Sequence, residues 1–137
     1  MSYRINDRYD VKSPFGAGGM GSLFLAQDTT LRKLVAIKVL GANLDSGDLR
    51  VRFRREALTL AKLNHPNLIG VYDYGDVDGM LFIVMEYVDG VTLRGQIANR
   101  QLTIDNCITY AIQIGEALQE AHGNGIVHRD VKAENIM

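Results

Sequence analysis

The sequence predicts an α+β fold in which a five-stranded antiparallel sheet carries one packed helix and is followed by a mainly helical segment. Three observations carry this reading. Between residues 9 and 87, short stretches rich in β-branched and aromatic side chains alternate with turn-forming clusters. A single stretch of helical period interrupts them at residues 48–63. Beyond Asp89-Gly90 the period changes to that of helices.

Residues 9–15, 22–28 and 33–40 read as the first three strands, separated by a glycine cluster and by Thr29-Thr30-Leu31-Arg32. In 48–63, Leu49, Phe53, Ala57, Leu60 and Leu63 recur at helical spacing, with Arg50, Arg54 and Arg55 elsewhere on the wheel. Asn64-His65-Pro66-Asn67 stops that helix. Strands at 68–74 and 80–87 come next, joined by Gly75-Asp76-Val77-Asp78-Gly79. A short helix is expected over 92–99 and a long one over 103–122, capped by Thr103 and closed by Gly123. Ile104, Ile108, Ala111, Gly115 and Leu118 form the apolar face of the long helix, which calls for a large partner. The few residues after it do not supply one, so marginal stability or self-association is expected of this chain alone.

A chain of 137 residues that is 47% hydrophobic and 23% charged, with two prolines, is neither disordered nor collagen-like. Its net charge of -1 gives no global attraction to nucleic acid or an anionic membrane, so any such affinity would have to be local, and no nucleic acid partner is expected. The single cysteine, Cys107, rules out an intramolecular disulfide framework or a cysteine zinc cluster, and fits a reducing compartment. The apolar run at residues 81–85, which Met80 extends by one, is far short of the roughly 20 residues a membrane helix needs. The polar start is no secretory signal, and a cytoplasmic location is expected.

Three motifs carry chemistry. Gly16-Ala17-Gly18-Gly19-Met20-Gly21 satisfies G-x-G-x-x-G, whose bare backbone N–H groups can approach phosphate oxygens. Alone the cluster also fits a plain hairpin turn. The next five residues, Ser22-Leu23-Phe24-Leu25-Ala26, alternate like a returning strand, which disfavours a dinucleotide-dependent oxidoreductase. No Lys-Ser or Lys-Thr pair comes after the last glycine, which excludes a Walker loop.

In Val35-Ala36-Ile37-Lys38, period two places Ala36 and Lys38 on one face and Val35 and Ile37 on the other. Lys38 alone fits an edge-strand lysine reaching water. Glu56, however, falls near the middle of the arc formed by Leu49, Phe53, Leu60 and Leu63, where a carboxylate needs a cation. Lys38 is the candidate partner; a surface pair with Arg52 is the alternative. Last comes the polar run His128-Arg129-Asp130-Val131-Lys132-Ala133-Glu134-Asn135, which also fits a solvated loop. Its aspartate, lysine and asparagine suit proton acceptance, phosphate neutralisation and coordination of a hard metal ion.

In order and spacing these motifs resemble the eukaryotic-type protein kinases, over residues 9–137. Gly16, Gly18, Gly21 and Leu23 match G-x-G-x-x-G-x-V with leucine for valine, Lys38 matches the lysine of V-A-I-K, and Glu56 matches its helix partner. His128, Arg129, Asp130 and Asn135 match H-R-D-L-x-x-x-N with Val131 for leucine. Lys132 resembles the serine/threonine branch, and Gly18-Gly19-Met20-Gly21 with residues 85–90 resembles its bacterial members.

The resemblance implies a kinase small lobe and hinge over residues 1–88, and over 89–137 the incomplete start of a large lobe ending in the catalytic loop. ATP and Mg²⁺ are the implied cofactors, and a protein serine or threonine is the implied substrate. The loop from Gly16 to Gly21, including Ala17, Gly19 and Met20, would cover the phosphates. Lys38 would hold the α and β phosphates and Glu56 would fix the lysine. Leu23 and Ala36 would enclose the adenine, with Met85 as gatekeeper, Glu86 to Val88 as hinge and Met137 as floor. Asp130 would accept the hydroxyl proton, Lys132 would steady the γ phosphate and Asn135 would bind Mg²⁺. His128 and Arg129 would be structural, as would His65 and His122.

The family's D-F-G aspartate, its main metal ligand, has no counterpart in these residues, and Ala133 stands where proline is usual. The chain alone is therefore expected to be inactive. A non-catalytic nucleotide-binding or interaction module is the alternative from another functional class.

Overall fold

The computed structural model describes residues 3–18, 21–40 and 47–137. They form two compact units, one of residues 1–62 and 69–87 and the other of 63–68 and 88–137.

The first unit is a six-stranded antiparallel sheet with one helix. Its strands are β1 (Arg4–Ile5), β2 (Tyr9–Gly18), β3 (Gly21–Asp28), β4 (Lys33–Leu40), β5 (Val71–Val77) and β6 (Met80–Glu86), in the order β1-β2-β3-β4-β6-β5. Helix α1 (Gly47–Leu60) lies between β4 and β5 in the chain. The expected count of five is corrected to six by β1. Two residues are too short to show a period, yet Ile5 is fully buried and both residues pair with β2. Asn6 and Asp7, both at positive φ, make the turn between them; short polar side chains tolerate that conformation best.

Alternation along the central strands divides the apolar residues between two faces. Val35, Ile37 and Val39 join Ile5, Tyr9, Ala26, Phe82 and Val84 in one cluster. Leu40, Leu81 and Ile83 pack with Phe53 and Ala57 of α1 in the other. Several boundaries differ from expectation, among them the end of α1, at Leu60 rather than at 63, and the end of β5, at Val77 rather than at 74. Strand β2 runs on through the glycine cluster to Gly18, with irregularities near Val11–Ser13 and Pro14–Gly16 that accommodate the proline. Strand β5 starts at Val71, because Leu68 belongs to the turn closed by its N–H on the His65 carbonyl.

One polar network ties three parts of this unit together. Asp28 is 2% exposed and takes bonds from Arg8 Nε at 3.1 Å and Nη2 at 2.8 Å. It also accepts from the N–H groups of Thr30 and Leu31 in the β3–β4 turn. The buried Tyr9 hydroxyl donates to Asp73 of β5 at 2.6 Å, and burial together with Asp73 pushes the phenol pKa up. The buried phenol, a costly group to strand without a partner, is thereby satisfied.

The second unit holds α2 (Leu93–Ala98), α3 (Ile104–Gly123) and a 3₁₀ turn (Ala133–Asn135). Thr103 caps α3 as expected, its hydroxyl accepting from the Asn106 N–H. The other end is corrected: Gly123 is still helical, Asn124 is the cap and Gly125 takes the left-handed conformation. The buried residues of α3 are Ala117 and Ala121, while Ile104 and Ile108 of the predicted face are exposed, as is Ile112. Among the described residues no helix is long and apolar enough to cross a membrane.

Candidate functional site

The first unit gathers Leu23, Ala36, Lys38 and Met85 on one face of its sheet. Leu23 stands opposite Lys38, and Lys38 opposite Ile83. In the next row Leu25 stands opposite Ala36, and Ala36 opposite Met85. Directly opposed residues of antiparallel strands project to the same side. Ile83 packs with α1, and this is therefore also the face toward Glu56. Gly16 pairs with Leu23, which puts the start of the glycine cluster beside the same row.

The hairpin closes with Gly18 opposite Gly21. Gly19 and Met20 lie outside the described residues, and so does the Ala17 side chain. Gly21 has φ +145°, and a Cβ there would run into the Val39 carbonyl, so only glycine fits this close approach of β3 to β4.

Lys38 Nζ lies 3.5 Å from Glu56 Oε1. The two side chains are 27% and 38% exposed, so the Glu56 carboxylate sits at the edge of the buried stripe of α1 rather than within it. Water reaches both charges, and the pair is worth at most about 1 kcal/mol of stability. Its value lies in fixing where the ammonium sits. No ion pair joins Arg52 to Glu56 among the described residues.

At the end of β6 the Glu86 N–H donates to the Gly70 carbonyl at 2.9 Å, and its carboxylate accepts from the Gly70 N–H at 3.4 Å. This exchange anchors the residue before the chain leaves the sheet. Val88 and Met137 belong to the second unit, the first half-buried and the second exposed.

In the second unit the polar run converges on Asp130. Its Oδ2 is 3.1 Å from Lys132 Nζ and 3.1 Å from Asn135 Nδ2, which also donates to the Asp130 carbonyl at 2.9 Å. His128 Nδ1 accepts the Asp130 N–H at 3.2 Å, giving the histidine a structural bond. Arg129 holds φ +65°, a conformation that non-glycine residues adopt at a cost and that turns the backbone sharply ahead of the aspartate. Lys132, with lesser help from Asn135, holds the Asp130 carboxyl below the usual carboxylate range against the opposing effect of burial. The aspartate is ionised at neutral pH and can accept a proton or hydrogen bond, with a cation beside it and the Asn135 amide oxygen not engaged by Asp130.

Sequence reasoning passed over two features of this unit. Arg94 Nε lies 3.0 Å from Glu134 Oε1, and the Leu93 N–H donates to the Ile136 carbonyl at 2.7 Å. Arg94 and Glu134 are forty residues apart in sequence, and no local period links them.

The protein kinase domain family matches residues 9–137. The chain is 42% identical over 134 residues to the probable serine/threonine-protein kinase PknB of Lactococcus lactis, covering 96% of this chain and 21% of the relative. It is 43% identical to the serine/threonine-protein kinase PrkC of Bacillus subtilis over 98% of this chain and 21% of PrkC, and 45% identical to PknB of Mycobacterium tuberculosis over 97% and 22%. The chain thus spans about a fifth of the length of these relatives. The crystal structure of the Mycobacterium tuberculosis PknI kinase domain superposes with a TM-score of 0.80 at 33% identity, over 98% of this chain and 56% of that one. A curled sheet with one helix, an Asp130-centred loop and a family match over nearly the whole chain converge: the chain belongs to the protein kinase family.

Proposed function

We propose that these residues carry the nucleotide side and the catalytic loop of a serine/threonine protein kinase, transferring the ATP γ-phosphoryl group to a protein hydroxyl. The observation that carries the reading is the convergence of Lys132 and Asn135 on the ionised Asp130. Residues 1–88 form the small lobe and hinge, and 89–137 the start of the large lobe.

ATP fits the sheet face on which Leu23, Ala36 and Met85 offer apolar surface beside the Lys38 cation. Mg²⁺ fits Asn135, whose carboxamide nitrogen is held on Asp130 and whose amide oxygen is left as a hard ligand. Bound Mg²⁺-ATP supplies the transferable phosphoryl group and part of the charge that stabilises it. Lys38, fixed by Glu56, binds phosphate oxygens, and the backbone of the Gly16–Gly21 loop covers them. Leu23 and Ala36 enclose the base, Met85 limits the depth of its pocket and Glu86 to Val88 bond its edge. Asp130 accepts the proton of the substrate hydroxyl, and Lys132 neutralises charge on the transferred group.

With Asn135 as the one matched metal ligand, these 137 residues alone bind ATP weakly and with little dependence on Mg²⁺, and transfer no phosphoryl group at a measurable rate. The exposed Ile104, Ile108 and Ile112 support self-association. A cytoplasmic location accords with these assignments.

Nucleotide titration with and without Mg²⁺ tests the reading. Lys38→Ala should weaken ATP binding by about tenfold or more, the worth of one charge-assisted hydrogen bond. Affinity unchanged in that variant would overturn the site. Asp130-dependent transfer of labelled phosphate by a monodisperse 137-residue chain would overturn the inactivity and the self-association.

A further inference from the structure

We propose that Arg94 is a positioning residue for the catalytic loop, acting through Glu134 to hold the Ala133–Asn135 turn so that the Asn135 carboxamide stays on Asp130. The inference rests on the kinase reading only for the word catalytic; its geometry lies wholly within the second unit.

A helix leaves its leading N–H groups without intrahelical partners. In the first turn of α2 the Thr92 hydroxyl accepts the Gly95 N–H at 3.1 Å, whereas the Leu93 N–H is satisfied by the Ile136 carbonyl at 2.7 Å. The helix thus borrows an acceptor from the residue immediately after Asn135. Arg94, the next residue, pairs with Glu134 on the other side of Asn135. Asn135 is therefore flanked by two ties to α2, one of backbone and one of charge.

The turn itself is weak. It is a three-residue 3₁₀ segment whose cap, Lys132, makes no side-chain capping bond. Within it the Asn135 N–H reaches the Lys132 carbonyl at 2.9 Å. Both Asn135 bonds to Asp130 depend on this turn keeping its place, since one carboxamide nitrogen must meet the Asp130 carbonyl and Oδ2 together. Asn135, Asp130 and Glu134 are all exposed, so buried packing does little to hold them.

The test uses the isotope-labelled 137-residue chain without nucleotide, read by amide hydrogen exchange and by the side-chain NH₂ resonances of Asn135. Arg94→Ala should speed exchange of the Leu93 and Asn135 N–H groups about two- to fivefold, as expected for an exposed ion pair. The Asn135 carboxamide signals should move toward those of a free asparagine. R94E and E134R should each behave likewise, and the double swap R94E/E134R should restore both readouts. The urea midpoint should be the same in all four variants, which separates positioning from general stability. Unchanged exchange and resonances in Arg94→Ala, or a double swap no better than its parents, would overturn the proposal. Since no nucleotide is involved, failure of the kinase reading appears separately, in the ATP titration of the unsubstituted chain.

Discussion

Removing the Asp28 carboxylate should be among the more costly single changes in the first unit. The side chain is 2% exposed and accepts four hydrogen bonds, two from the Arg8 guanidinium and two from the Thr30 and Leu31 N–H groups. Truncating one member of a buried ion pair typically costs about 3–5 kcal/mol. Here the cost is lower, because Arg8 is one-third exposed and keeps Asp73 at 3.6 Å, and because Thr30 and Leu31 are exposed enough to hydrate. About 2–3 kcal/mol is expected for Asp28→Ala from the lost charge-assisted bonds. Asp28→Asn keeps an oxygen for the turn but sets an NH₂ against the guanidinium, and about 1–2 kcal/mol is expected. The Arg8 bonds, then the Leu31 and Thr30 N–H groups, hold the Asp28 carboxyl below its ordinary value against burial. A folded-state pKa below the unfolded one contributes stability that is fully present above the unfolded value, about 3.9, and is lost as pH falls through the folded one. The gap between the parent chain and Asp28→Asn should therefore be constant near neutrality and shrink below about pH 4. Urea unfolding followed by far-UV circular dichroism at several pH values measures both. A loss under about 1 kcal/mol in Asp28→Ala, or a gap unchanged from neutral pH to well below pH 4, would be incompatible with this network.

Two further outcomes are expected. Gly21→Ala should fray the end of the β2–β3 hairpin, because the new Cβ meets the Val39 carbonyl and φ +145° suits only glycine. The loss is bounded by the one or two ladder bonds surrendered, about 1–3 kcal/mol, and should appear as faster exchange at Ser22 and Val39 with weaker ATP binding; unaltered exchange would contradict the close approach. Glu56→Gln should change stability by under about 1 kcal/mol, since the pair with Lys38 is hydrated, yet should weaken ATP binding severalfold by releasing the lysine. A large stability loss with unchanged affinity would show that the pair serves the fold instead.

Elements whose signals are local and periodic were legible from the residues alone. Alternation in Lys33–Leu40 placed Ala36 and Lys38 opposite Val35 and Ile37, and the sheet keeps that division because side chains along a strand must alternate. Thr103 announced the start of α3 because a hydroxyl at that point satisfies a backbone donor that nothing else does. The motif order likewise carried the family, since each motif is short and continuous. Features that join residues far apart in the chain emerged only on folding. Strand β1 exists because two residues find a partner in β2, not because of any period of their own. The position of Glu56 at the edge of its stripe, half in water, is set by how α1 rests on β5 and β6, which wheel geometry cannot resolve. The Arg8–Asp28 and Tyr9–Asp73 bonds join segments up to 64 residues apart, and Arg94–Glu134 joins segments 40 apart. Charged and hydroxyl side chains look alike in sequence whether solvated or paired; only folding, by bringing an acceptor within about 3 Å, distinguishes the two.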